Sequence, residues 1–166
     1  MKKNAFTIIE LMIALFILSI GMSGSFILLR NISVASSISS SRLTATFLAR
    51  EGVEVIRNIR DYTWVKGAPD WDESILEKTD TRLQYDSEEF PDIRFSGSCY
   101  LAPNPSSGFF ECQSSGKFKR TITVEKEDLD GDSEPDKMHI VSKVEWNERN
   151  QHFEVYAVED LYNWKH

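Results

Sequence analysis

"NAFTIIELMIALFILSIGMSGSFILL", residues 4–29, decides how this chain is built. Between Phe6 and Leu29 the only ionisable side chain is Glu10. As a helix these 24 residues extend about 36 Å, enough to cross a hydrocarbon core of about 30 Å. A carboxylate at bilayer depth costs roughly 2.5–3.5 kcal/mol, so Glu10 is either a functional group or an edge residue that reaches water. Lys2 and Lys3 precede the run and a single Arg30 follows it. The positive-inside bias therefore keeps residues 1–5 in the cytoplasm and sends everything after Arg30 outside.

A secretory signal is the competing reading, because "SVA" at Ser33–Ala35 fits a small-x-small cleavage pattern. An apolar signal core of roughly 7–15 residues is shorter than this run and would not hold a glutamate.

The 166 residues leave room for one compact domain beside the membrane segment. Formal charge is −7, and −9 with Lys2 and Lys3 set aside, since 17 Lys and Arg then face 26 Asp and Glu. Such a balance argues against nucleic acid as a partner, which is held by neutralising phosphates. The one basic cluster, "KFKR" at Lys117–Arg120, reads as the start of a solvated strand. With 41% hydrophobic residues the chain is not disordered by composition.

Both cysteines, Cys99 and Cys112, follow the apolar run. In an oxidising compartment they read as a disulfide closing a loop of Gly, Pro and Ser, worth roughly 3 kcal/mol in the chain-entropy model. In a reducing one they read as two buried thiols.

After the apolar run, residues 31–61 are amphipathic. Leu43, Phe47, Leu48, Val55, Ile56 and Ile59 recur at three- and four-residue spacing among Arg42, Arg50, Glu51, Glu54, Arg57 and Arg60. One long helix is expected from Phe6 to about Arg60. Gly21, Ser23, Gly24 and Ser25 weaken it locally, or let neighbouring helices approach. Residues 61–118 carry turn signals around Trp64, Trp71, Phe90 and Phe95 and assign no ligand. Three alternating runs follow: "RTITVEK" (Arg120–Lys126), "MHIVSKVEW" (Met138–Trp146) and "HFEVYAV" (His152–Val158). These predict an antiparallel meander with one face on the amphipathic helix, an α+β fold.

The first turn of that meander, "DLDGDSEPD", places Asp128, Asp130, Asp132 and Asp136 at alternating positions, the oxygen-rich pattern that Ca²⁺ takes. It lacks the Gly and Glu of an EF-hand, having Ser133 and His139 there, and Asp130-Gly131 is also an ordinary hairpin dipeptide. His139, His152 and His166 have no Cys or Ser nucleophile in a motif with them, and no Gly-rich phosphate loop occurs. The residues do not predict an enzyme.

"AFTIIELMIALFILSIG", residues 5–21, resembles the processing site and N-terminal helix of type IV pilins and type II secretion pseudopilins. The resemblance covers about the first 25 residues. It implies a leader, residues 1–5, cut by a prepilin peptidase after Ala5, where the family usually has Gly, and an N-methylated new terminus at Phe6. It also implies that Glu10 pairs with the Phe6 amine, within one subunit or between neighbours, and so acts in assembly. The expected organisation is leader 1–5, transmembrane or filament-core helix 6–29, amphipathic helix 30–61, and an extracytoplasmic β-rich domain 62–166. The implied function is a structural subunit of a pilus or pseudopilus, with a minor pilin favoured. It would sit in the inner membrane before joining other pilin subunits through an assembly platform. The alternative is an anchored extracytoplasmic binding domain that never polymerises and holds Ca²⁺ at the Asp loop.

Overall fold

The computed structural model describes residues 7–68, 70–87 and 100–163, without the side chains of 79–81. One helix, α1, runs from Ile8 to Val65. It ends at a glycine cap: Gly67 takes φ +74°, its amide donates to Trp64 O (3.1 Å), and Ala68 N donates to Thr63 O (3.3 Å). The helix therefore passes the expected limit near Arg60, because nothing before Gly67 interrupts it. The chain divides into two compact units, Met1–Ser41 and Arg42–His166, and α1 contributes to both.

In the first unit the apolar side chains of α1 face outward, with Ile8, Phe16 and Leu29 each more than half exposed. The segment is long and apolar enough to cross a membrane. The helix is continuous through Gly21–Ser25. Ser19, Ser23 and Ser25 donate their hydroxyls to the carbonyls of Phe16, Ser19 and Gly21 at 2.8, 2.8 and 3.0 Å. Those hydroxyls are thus satisfied without water, as an apolar surrounding requires.

In the second unit, six strands form an antiparallel sheet: β1 (Lys78–Thr81), β2 (Tyr100–Pro103), β3 (Phe110–Gln113), β4 (Phe118–Glu127), β5 (Lys137–Glu148) and β6 (Gln151–Tyr162). Their order is β3-β2-β4-β5-β6. β5 lies along the whole of β4, while β2 and β1 share its other edge, at Phe118–Lys119 and Ile122–Val124. The three expected strands are present, each longer than its alternating core. β1, β2 and β3, four residues apiece, lie in the stretch that had no legible period. Phe90 and Phe95 lie outside the described residues. Between β5 and β6, Arg149 and Asn150 take φ 52° and 63°, the two positive values of a tight hairpin turn.

The core lies between one face of the sheet and residues 45–60 of α1. Met138, Ile140, Ser142, Val144 and Trp146 alternate inward on β5, against Phe118, Arg120, Ile122 and Val124 on β4. Each fully buried aliphatic side chain contributes about 1.5–3 kcal/mol relative to exposure.

The helix face differs from the expected one. Leu48, Val55, Ile56 and Ile59 are buried, but Leu43 and Phe47 are about 60% exposed, and the stripe instead includes Ala45, Ala49 and Gly52. At Gly52 a small residue is needed because sheet side chains press against the helix. A Cβ on Gly52 would stand 2.5 Å from Ser142 Oγ.

The reading of "KFKR" as solvated is also corrected: Phe118 and Arg120 point into the core, with Arg120 only 1% exposed. Its guanidinium donates to Leu48 O (2.8 Å), Leu83 O (2.7 Å) and Glu51 Oε1 (2.9 Å), tying α1 and the segment after β1 to the sheet. Burial lowers the Arg120 pKa, opposed by the Glu51 carboxylate.

Candidate functional site

At the start of α1, Thr7 caps the helix. Leu11 N donates to Thr7 O (3.2 Å) as the first helical bond, and Glu10 N donates to Thr7 Oγ1 (3.3 Å). Thr-x-x-Glu is the capping-box spacing, and an acid in the first turn faces the positive end of the helix dipole. Thr7 was not singled out from the sequence, although this spacing was available to find it. The cap engages the Glu10 amide rather than its carboxylate, and Glu10 is exposed. Ala5 and Phe6 lie outside the described residues.

The acidic turn between β4 and β5 folds around its own carboxylates. Asp128 accepts from Gly131 N (2.6 Å) and Ser133 N (2.9 Å), and Asp136 Oδ2 from Leu129 N (2.7 Å) and Asp130 N (3.3 Å). Asp130 and Asp132 accept from the amides of Asp132 (3.1 Å) and Glu134 (2.8 Å). The amides of Gly131 and then Ser133 hold the Asp128 carboxyl below the ordinary carboxylate range. Oxygens of Asp128, Asp130 and Asp136 come within 4.8 Å of one another, a gathering that does not include Asp132. Gly131 and Ser133 take positive φ, 85° and 74°, which closes the loop.

Cys112 lies on β3 opposite Leu101 of β2, and its amide donates to Gln84 Oε1 at 3.0 Å. Cys99 lies outside the described residues. The outer face of the sheet carries His139, whose Nδ1 is 2.6 Å from Asp160 Oδ1, and His152, near Glu145 and Asn147. Hydrogen bonding to His139 holds the Asp160 carboxyl below its ordinary range, with Lys137 adding to the effect. His166 lies outside the described residues.

Residues 1–26 match the family model described as the prokaryotic N-terminal methylation motif, the prepilin-type motif of type IV pilins and pseudopilins. The match spans the residues before α1 and the first part of α1, and none of the sheet. No curated protein and no solved structure matches the chain.

Proposed function

We propose that this chain is a type IV pilin-like structural subunit, a minor pilin or pseudopilin, rather than an enzyme. The observation that carries the reading is an apolar helix, exposed along its first unit, whose start bears the prepilin-type motif. Such a surface needs either lipid or the helices of other subunits around it. On this reading, prepilin peptidase cuts after Ala5 on the cytoplasmic side and Phe6 becomes the N-methylated terminus. The helix then holds the subunit in the inner membrane with the sheet domain outside, until an assembly platform adds it to a filament of other pilin subunits. Cys99 and Cys112 form a disulfide in that oxidising compartment. Cys112 faces β2 on β3, and Cys99 directly precedes β2 in sequence, which supports the pairing.

Glu10 then neutralises the new amine of a neighbouring Phe6. An uncompensated buried charge is penalised by roughly 3–5 kcal/mol, so Glu10→Ala should insert into the membrane normally yet enter filaments poorly. Thr7→Ala, which removes the helix cap at about 1 kcal/mol, should lower incorporation far less. The mature terminus is read by mass spectrometry and incorporation by immunoblot of sheared filaments. A chain starting at Ser36, or full incorporation of correctly cleaved Glu10→Ala protein, would overturn the reading.

A second reading, an anchored Ca²⁺-binding domain, is favoured by the gathering of Asp128, Asp130 and Asp136. It predicts a melting temperature that rises with Ca²⁺, by about 2.7 kcal/mol of linkage at a hundredfold excess over Kd. Asp130→Asn with Asp132→Asn should abolish that rise. A melting temperature indifferent to Ca²⁺ and to chelator leaves only the hairpin.

A further inference from the structure

The outer face of the β5–β6 hairpin assembles four polar side chains in a rectangle. Glu145 pairs directly with Glu154 across the two strands, and Asn147 with His152. Like charges facing each other across a sheet are destabilising unless a cation lies with them. Lys119 and Lys143 approach Glu145 at 3.6 and 3.4 Å, and both take Oε2. The other oxygen, Oε1, faces His152 Nε2 at 3.7 Å. On the far side of that ring, His152 Nδ1 is 3.1 Å from Asn147 Oδ1. A carbonyl oxygen accepts, so Nδ1 carries the hydrogen, and Nε2 is the ring atom turned toward the carboxylate.

A divalent ion seated between Nε2 and Oε1 would bridge the two donors. Donor atoms about 2.0–2.1 Å from a tetrahedral ion stand roughly 3.4 Å apart, close to the observed spacing. Glu145, His152 and Glu154 each offer one donor atom within 4.8 Å of the other two, so small rotamer shifts close the set. The supporting contacts are those of a metal ligand's surroundings: a carbonyl fixes the histidine tautomer, and the Tyr156 hydroxyl bonds Glu154. Imidazole with two carboxylates suits Zn²⁺ and its neighbours in the transition series. Ca²⁺, by contrast, takes six to eight oxygens.

We propose that Glu145, His152 and Glu154 form a three-ligand site for a divalent transition ion of the Zn²⁺ type, with Asn147 positioning the histidine and water completing the coordination. The site lies on the outer face of the β5–β6 hairpin and shares no residue with the acidic turn between β4 and β5. It stands whether or not the subunit polymerises.

The test is calorimetric titration of ZnCl₂ into the tag-free, metal-stripped full chain in detergent at neutral pH, with CaCl₂ as the control. Saturable Zn²⁺ binding should depend on His152, so that His152→Gln abolishes it. Asn147→Ala should weaken it by roughly tenfold or more. Lys143→Ala should tighten it by removing a positive charge beside Glu145, a gain that a misfolded variant cannot mimic. Zn²⁺ binding that is absent from the parent chain, unchanged in His152→Gln or matched by Ca²⁺ overturns the proposal. In that case an imidazolium paired with Glu145 accounts for the contact. Failure of Lys143→Ala to tighten binding removes Glu145 from the ligand set and overturns it equally.

Discussion

Gly21 and Gly52 lie on the same helix and meet opposite surroundings. A Cβ added at Gly21, or at Gly24, meets nothing within 4 Å. At Gly52 it would stand 2.5 Å from Ser142 Oγ, 2.9 Å from Ile122 Cδ1 and 3.1 Å from the Arg120 Cδ. The second half of α1 is thus shaped to the chain's own sheet, and at Gly52 the helix is pressed against side chains of β4 and β5. The first half keeps its small residues on a surface that no described residue covers. Along one helix the sequence changes character, from nearly charge-free to amphipathic.

The comparison is broken most forcefully at Arg120, the group that joins the second half of the helix to the sheet. Arg120→Ala removes three hydrogen bonds that join α1 and the segment after β1 to the sheet and leaves a cavity, and should destabilise the domain by roughly 2–5 kcal/mol in denaturant titration. Arg120→Lys should recover little of this, because one ammonium does not reproduce three divergent guanidinium bonds. A loss below about 1 kcal/mol, the range of surface pairs, would mean the contact is not the tie described.

The glycines sharpen the same contrast. Gly52→Ala should lose about 1–3 kcal/mol through overpacking, outweighing a helix-propensity gain of about 1 kcal/mol. Gly21→Ala and Gly24→Ala meet no such neighbour in the chain itself. They should leave the unfolding of the sheet domain unchanged and raise helicity in detergent. Equal effects at Gly21 and Gly52, by thermal unfolding followed with circular dichroism, would erase the distinction.

The smallest effect concerns acid. Asp128 and Asp160 have carboxyl pKa values depressed in the native state, by loop amides and by His139 respectively. Their contribution is therefore complete above the ordinary carboxylate range and is lost as pH falls from that range through the lower native values. The melting temperature of the sheet domain should decline on acidification across this window. Asp128→Asn should flatten the decline. An unchanged acid slope in Asp128→Asn would place the dependence elsewhere.

Much of this architecture was legible in the residues. The long helix, expected from Phe6 to about Arg60 and found over Ile8–Val65, followed from an uninterrupted apolar run and the amphipathic period after it, and the three long strands from a period of 2. What was missed has specific causes. Leu43 and Phe47 drew the buried stripe to the wrong side, because hydrophobicity was weighed and size was not. Ala45, Ala49 and Gly52 occupy the true face since only small side chains fit there. Arg120 looked solvated because its three acceptors lie at Leu48, Glu51 and Leu83, remote in sequence. β1, β2 and β3 are too short to carry a period of their own and exist as strands through what they pair with. Thr7 was readable as a cap, since Thr-x-x-Glu is a local signal.

By itself, the sequence determined the features that depend on neighbouring positions: a charge-poor helix of spanning length, the lysines before it, the prepilin-type motif and the acidic turn. Hydrophobic transfer, the helix cap and the tight turn act over a few residues, so their signals survive in one dimension. Tertiary structure alone decided which helix face meets the sheet, that Arg120 turns inward, and that Glu145, Asn147, His152 and Glu154 share one patch. Each of these rests on the strand register or on the distance between backbones. Neither quantity is carried by any single stretch of the chain, because the contacts that set it join residues from different elements.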